Sequence, residues 1–153
     1  MQKLELFFPP PVITLVSGLL MWLLAKLLPT LTITWPYRTE LGVVIILLGL
    51  AIGLSGVREV IKAKTTMNPK QPGDASRLVS SGIYHYSRNP MYLGMLFLLI
   101  AWLLYLSNPA SIVGLLVYIL YMTRFQIIPE ERWLEEKFGP EFLAYKKQTR
   151  RWF

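Results

Sequence analysis

Residues 78–94 read Leu-Val-Ser-Ser-Gly-Ile-Tyr-His-Tyr-Ser-Arg-Asn-Pro-Met-Tyr-Leu-Gly, and the run 91–106 that this stretch enters is almost wholly apolar. The junction is written in helix-start chemistry. Asn89 suits the N-cap and Pro90 the first helical position, where a missing N–H costs nothing. That accounts for Asn89 and Pro90, with Arg88 and Tyr92 as interfacial side chains. It leaves unexplained why Gly82, Tyr84, His85 and Tyr86 are interleaved just before. A helix N-terminus offers free N–H groups and the positive end of a dipole, and Gly94 would let a ligand approach the first turn closely. A capped helix start and a ligand site are both open readings of this stretch.

Outward from it, composition sets the solvent. Hydrophobic residues make up 54% of the 153 and charged residues 16%, well short of the roughly 25% charge of soluble domains. The spacing predicts an all-α integral membrane protein with about four spans, 12–28, 41–57, 91–106 and 110–128, forming one domain over residues 1–153. Pro9, Pro10 and Pro11 open the first span, so no signal-peptide pattern is expected. Residues 1–11 read as an interfacial lead. The second span carries Gly49 and Gly53, small residues at a spacing that brings helices together in lipid, through packing within the chain or between copies. Ser107-Asn108-Pro109 predicts a tight turn, making a hairpin of the last two spans.

The connection 65–90 is the long polar one, and Thr66, Asn68, Pro69, Pro72 and Gly73 forbid a regular helix at its start. After Pro129 the chain turns polar. Leu134, Phe138, Phe142 and Tyr145 recur among charges, and Gly139-Pro140 predicts a break between two short amphipathic helices. The basic, aromatic end, Arg150-Arg151-Trp152-Phe153, fits a membrane-surface anchor. Basic residues crowd the 55–90 connection and the C-terminal tail, so the positive-inside rule places both, with both termini, in the cytoplasm. The net charge of +7 then belongs to loops facing anionic lipid rather than to nucleic-acid binding.

With no cysteine and one histidine, thiolate chemistry is excluded and a histidine-built metal centre is not expected. Two further constellations stand out. Glu130 and Glu131 suit the first turn of a helix, but adjacent carboxylates beside Arg124 would also hold a cationic ligand or an amine. Arg124, near the membrane end of its span, either snorkels or serves a function. His85 reads as a loop histidine bonded to backbone or as a general base.

The pattern Leu78-Val79-x-x-Gly82-x-Tyr84, then Arg88-Asn89-Pro90-Met91-Tyr92-Leu93-Gly94, then Pro129-Glu130-Glu131, then Phe138-Gly139-x-x-Phe142-x-x-Tyr145 resembles the isoprenylcysteine carboxyl methyltransferase superfamily, which includes phospholipid N-methyltransferases. The resemblance covers about residues 65–153. It implies a membrane enzyme that uses S-adenosylmethionine, with no metal, on a lipophilic or membrane-partitioned acceptor. Carboxyl O-methylation is favoured over amine N-methylation or thiol S-methylation; a lipid-binding protein that has lost catalysis is the reading of another class. It implies Leu78, Val79, Gly82, Tyr84, Asn89, Tyr92, Gly94, Glu130 and Glu131 around the cofactor. Arg88 and Arg124 would hold the cofactor carboxylate or orient the acceptor, and Glu130, which completes the pocket from the other side, is counted with them as catalytic. Many members carry histidine where this chain has Asn89. Asparagine still donates and accepts hydrogen bonds but cannot be a general base.

Overall fold

A computed structural model describes residues 5–65 and 76–153. The start of the long connection, with Thr66, Asn68, Pro69, Pro72 and Gly73, lies outside the described residues, as does the beginning of the interfacial lead. Among the described residues every regular element is helical. Helices α1 (Pro10–Leu27) and α2 (Arg38–Lys62) are followed by a 3-10 turn (Gly82–His85) and α3 (Pro90–Leu106). Helix α4 (Ile112–Tyr121), a π-helical turn (Met122–Ile127) and α5 (Ile128–Phe138) run on as one rod, and α6 (Pro140–Gln148) turns back.

Three helical stretches, Pro10–Leu27, Arg38–Lys62 and Pro109–Phe138, are long and apolar enough to cross a membrane, and the apolar α3 is shorter, at 17 residues. At 1.5 Å per residue α3 still extends for about 25 Å, close to the hydrocarbon thickness. The outward faces agree with a lipid solvent. Leu15, Val16 and Leu19 on α1, and Val43, Leu47 and Leu54 on α2, are all exposed.

Helix α3 is the centre of the packing. Its face toward α2 is made by Gly94, where an added Cβ would stand 2.6 Å from the Gly49 carbonyl and 2.9 Å from Gly53 Cα. At Gly49 an added Cβ would meet Phe97 Cβ at 2.7 Å. The Gly49/Gly53 pair is therefore consumed by an intrachain crossing of two backbones, which corrects the expectation that it could join copies of the chain. The small size of Gly94, read from the sequence as room for a ligand, serves here to admit the backbone of α2. On the other side α1 packs on α4 through Gly114, whose added Cβ would sit 2.9 Å from the Ser17 carbonyl. Met21, Leu93, Leu96, Leu99, Tyr118, Met122 and Ile127 form the core between these faces.

At the end of the bundle away from Asn89, the expected Ser107-Asn108-Pro109 turn ties the loops together. Ser107 adopts a left-handed conformation (φ 51°). The buried Asn108 amide donates to the Leu28 carbonyl at 2.8 Å, and Ile33 N–H to the Ser107 carbonyl at 2.8 Å.

Pro129 does not interrupt the rod, and Glu130 and Glu131 fall in the first turn of α5 as expected. Proline lacks the N–H that would serve the carbonyl four residues back, Phe125. The π turn absorbs the mismatch: the Ile128 N–H reaches Thr123, five residues earlier. The Phe125 carbonyl instead accepts from Leu6 N–H at 2.9 Å. Glu5 beside it bridges Arg124 at 3.1 Å and Arg132 at 2.7 Å. The N-terminal segment is thus strapped across the π turn rather than lying free at an interface. Burial works against the charged form of Glu5, but the hydrogen bonds from Arg124 and Arg132 outweigh it and hold the carboxyl below the usual carboxylate range.

Candidate active site

The expected helix start is present: Pro90 opens α3 with Asn89 at the N-cap position. The Asn89 side chain, however, makes no capping bond. Its amide donates to the Arg151 carbonyl at 2.9 Å, while Ser87 Oγ accepts the Asn89 N–H at 3.1 Å. The C-terminal tail is the reason. It folds back along residues 85–89, with Arg88 N–H donating to the Arg150 carbonyl at 3.0 Å and Thr149 Oγ1 to the His85 carbonyl at 3.3 Å. Trp152 enters the core, its indole N–H on Thr123 Oγ1 at 3.2 Å and its ring 6.5 Å from that of Tyr118. The surface anchor expected from the basic and aromatic composition of the tail is instead a docked strand of irregular chain.

Arg88 fastens it. Its Nε and Nη2 donate to Glu131 Oε1 at 3.2 and 2.7 Å, and its Nη1 donates to the carbonyls of Lys146 and Thr149. Arg151 donates to the same carboxylate, Nε to Oε1 at 3.1 Å and Nη2 to Oε2 at 2.7 Å. Those bonds with Glu131 raise the Arg151 pKa, against the pull of burial. Glu131 is therefore saturated by two guanidinium groups, an arrangement that locks α3, α5 and the tail together. Arg88, expected near the reacting groups, is committed to this clamp.

Glu130 lies one residue away and has different partners. Its Oε1 accepts from the Tyr92 hydroxyl at 2.6 Å and from Gln126 Nε2 at 2.5 Å. Tyr92 is itself fixed, because its carbonyl accepts from the Tyr118 hydroxyl at 3.0 Å. Among the described residues Glu130 makes no ion pair. The expected neighbour Arg124 is not there: it is bound to Glu5, with its guanidinium 5.5 Å from the Phe125 ring. Arg124 is thus removed from the Glu130–Glu131 group with which its sequence position associates it.

The loop residues form an adjoining apolar wall. Leu78, Val79 and the buried Tyr84 pack with Val60 of α2, Leu134 and Phe138 of α5, and Phe142 and Tyr145 of α6. The Tyr145 hydroxyl donates to the Tyr84 carbonyl at 2.6 Å. Burial, reinforced by Tyr145 and Glu130, pushes the Tyr84 phenol well up; burial does the same to Tyr145. Both stay neutral donors. Gly82 takes a positive φ of 59°, and an added Cβ would stand 2.8 Å from Glu59 Cδ. Ser81 Oγ donates to Glu59 Oε2 at 2.7 Å. His85 is exposed, with Nδ1 3.5 Å from the Ser80 carbonyl.

Four participants escaped the sequence reading: Gln126, Glu59, Thr149 and Trp152. Gln126 carried a usable signal, being an amide inside an apolar span four residues before a glutamate, on the same helix face. The other three act through contacts distant in sequence. Together, the elements place an aromatic hydroxyl, an amide and an unpaired carboxylate beside an apolar wall at one end of a membrane bundle. A carboxylate without an ion-pair partner beside apolar side chains has the chemistry to take a cationic ligand with an apolar or aromatic body.

The phospholipid methyltransferase family matches residues 37–141. An uncharacterized protein of Haemophilus influenzae is 47% identical over 62 residues, 40% of this chain and 98% of that protein. The protein-S-isoprenylcysteine O-methyltransferase of Saccharomyces cerevisiae is 37% identical over 75 residues, 47% of this chain and 30% of the yeast protein. Its Xenopus laevis counterpart is 30% identical over 120 residues, 76% of this chain and 40% of the frog protein. The chain thus matches less than half the length of either named methyltransferase. No solved structure matches it. The chain belongs to the phospholipid methyltransferase family, whose members are membrane-embedded methyl-transferring enzymes.

Proposed function

We propose that residues 1–153 form one membrane-embedded unit that transfers a methyl group from S-adenosylmethionine to a lipophilic acceptor, with carboxyl O-methylation as the favoured chemistry. The observation that carries this reading is Glu130, a carboxylate held by Tyr92 and Gln126 with no cation against it among the described residues. S-adenosylmethionine brings a sulfonium carrying an electrophilic methyl, an ammonium and an aromatic base. Glu130 and the face of Tyr92 suit the positive charge, and Leu78, Val79 and Tyr84 suit the apolar parts. The Arg88–Glu131–Arg151 clamp keeps the tail closed over α3, and so keeps these groups in fixed positions and away from water. Methyl transfer of this kind draws mainly on in-line positioning and desolvation.

The choice of acceptor rests on Asn89 and His85. The Asn89 amide holds the tail and the one histidine is exposed, so neither supplies a buried general base. An ionised carboxylate needs none, whereas an ammonium headgroup must first lose a proton. The relatives named protein-S-isoprenylcysteine O-methyltransferase support the same acceptor, a prenylated cysteine carboxylate. The family match to phospholipid methyltransferase supports a lipid amine as the second reading. The crowding of basic residues around the site supports a cytoplasmic orientation for it.

The test is transfer of isotopically labelled methyl from S-adenosylmethionine by the purified protein in lipid, offered a farnesylated cysteine, phosphatidylethanolamine or a small thiol. Base-labile label on the farnesylated cysteine is expected. Base-stable label on the lipid amine would move the assignment to N-methylation, and label on the thiol to S-methylation. Cofactor binding with no transfer to any of the three would leave a ligand-binding protein.

A further inference from the structure

Helices α2 and α3 touch backbone to backbone at Gly49 and Gly94 but part toward the other end of the bundle. At Gly42 an added Cβ would meet nothing closer than the Ala101 carbonyl at 3.8 Å. The wedge they leave is a cavity of about 320 Å³, lined by Arg38, Gly42, Ile46, Ala101, Trp102 and Tyr105 among others. Thirteen residues of α3 separate Tyr92 from Tyr105, roughly 20 Å of helix, so this groove is separate from the candidate active site.

Its lining is amphipathic in a definite order. The floor is aliphatic and glycine. Trp102 and Tyr105 stack at one wall, with ring centroids 5.4 Å apart and 13° between planes, and the indole N–H is anchored on the Gly18 carbonyl at 3.1 Å. At the mouth stands Arg38, the first residue of α2. Its Nη1 donates to Ser107 Oγ at 3.3 Å and its guanidinium lies 6.0 Å from the Tyr105 ring. Among the described residues it forms no ion pair. A fixed guanidinium at the end of a membrane helix, over an apolar groove that runs along that helix, matches the phosphate and chain of one molecule.

We infer that this groove is a phospholipid site, in which Arg38 holds the phosphate and an acyl chain lies over Gly42 and Ile46 against the Trp102–Tyr105 wall. The lipid is a bound structural ligand in the leaflet opposite the candidate active site, not the methyl acceptor. The inference stands independently of the methyltransferase reading.

Native mass spectrometry of the full chain from detergent tests it, with phosphatidylglycerol and the diacylglycerol of the same chains as probes. Arg38→Gln removes the charge, and Gly42→Leu fills the groove while replacing glycine by a better helix former. Circular dichroism confirms the helical content of each variant. The wild type is expected to retain phosphatidylglycerol at least tenfold more tightly than diacylglycerol. Arg38→Gln is expected to remove that preference, and Gly42→Leu to remove retention of both. A tenfold ratio corresponds to one charge-assisted contact of about 1.4 kcal/mol. Equal retention of the two lipids, displacement of phosphatidylglycerol by inorganic phosphate alone, or an unchanged preference in Arg38→Gln would each overturn the inference. The Arg38→Gln comparison decides the matter even if Gly42→Leu does not fold.

Discussion

Glu130 and Glu131 are neighbours in the chain, yet Glu131 accepts hydrogen bonds from two arginines while Glu130 accepts only from a phenol and an amide. The π turn just before them helps to set this division. It places Gln126 under Glu130 and turns Glu131 toward Arg88 and the tail. One carboxylate is spent on holding the structure, and the other, which makes no ion pair among the described residues, is the one proposed to face a ligand.

Glu131→Ala should therefore be a stability variant. It strands the buried Arg88 guanidinium, a loss of about 3 kcal/mol or more. Thermal unfolding in detergent should shift down markedly, and the tail should become sensitive to carboxypeptidase. Glu130→Gln should leave both measures near the wild type. Equal destabilisation by the two substitutions would show that the carboxylates share one structural role.

The α2–α3 crossing separates two glycines that look alike in sequence. Gly94→Ala drives a methyl into the backbone of Gly49 and Gly53 and should cost about 3 kcal/mol. Gly53→Ala, whose added Cβ would meet only Gly94 Cα at 3.8 Å, should be tolerated. Denaturant titration of both variants checks the contrast. A tolerant Gly94 would mean that the helices are not in contact there.

Trp152→Ala tests the docked tail against the membrane anchor that its composition suggested. Losing the contact with Tyr118 and Thr123 should lower stability by about 2 kcal/mol and leave membrane flotation unchanged. Release from membranes at unchanged stability would restore the anchor.

The N-terminal strap should open in acid. The folded-state pKa of Glu5 is depressed, so its contribution to stability is present above the ordinary glutamate range and is lost as pH falls through the lower folded value. A solution NMR titration should find the Glu5 carboxyl titrating below a free glutamate, with the Leu6 amide signal changing in step. A midpoint at the ordinary glutamate value would mean that Arg124 and Arg132 do not hold it in solution.

The sequence discloses what is local. Asn89-Pro90 starts a helix, Gly139-Pro140 separates two, and the apolar runs fall where the helices are. It hides what is made at a distance. Pro129 breaks helices by its local chemistry, and nothing near it tells that Leu6 will take up the freed Phe125 carbonyl. Arg124 sits close to Glu130 in sequence, but helix geometry and Glu5 carry it elsewhere. Arg151 and Trp152 have the composition of a surface anchor, because a side chain that packs in a protein core and one that enters lipid obey the same hydrophobic rule. Gly94 follows a helix start, where a ligand and a second helix make the same demand for space.

The most direct test of the account is calorimetric titration of S-adenosylmethionine into the detergent-purified wild type and Glu130→Gln, both checked for helical content. The account predicts saturable binding by the wild type and at least tenfold weaker binding by the variant, as expected for the loss of a charge facing a cation. Equal affinity in two folded proteins would contradict it, since Glu130 would then not face the cofactor.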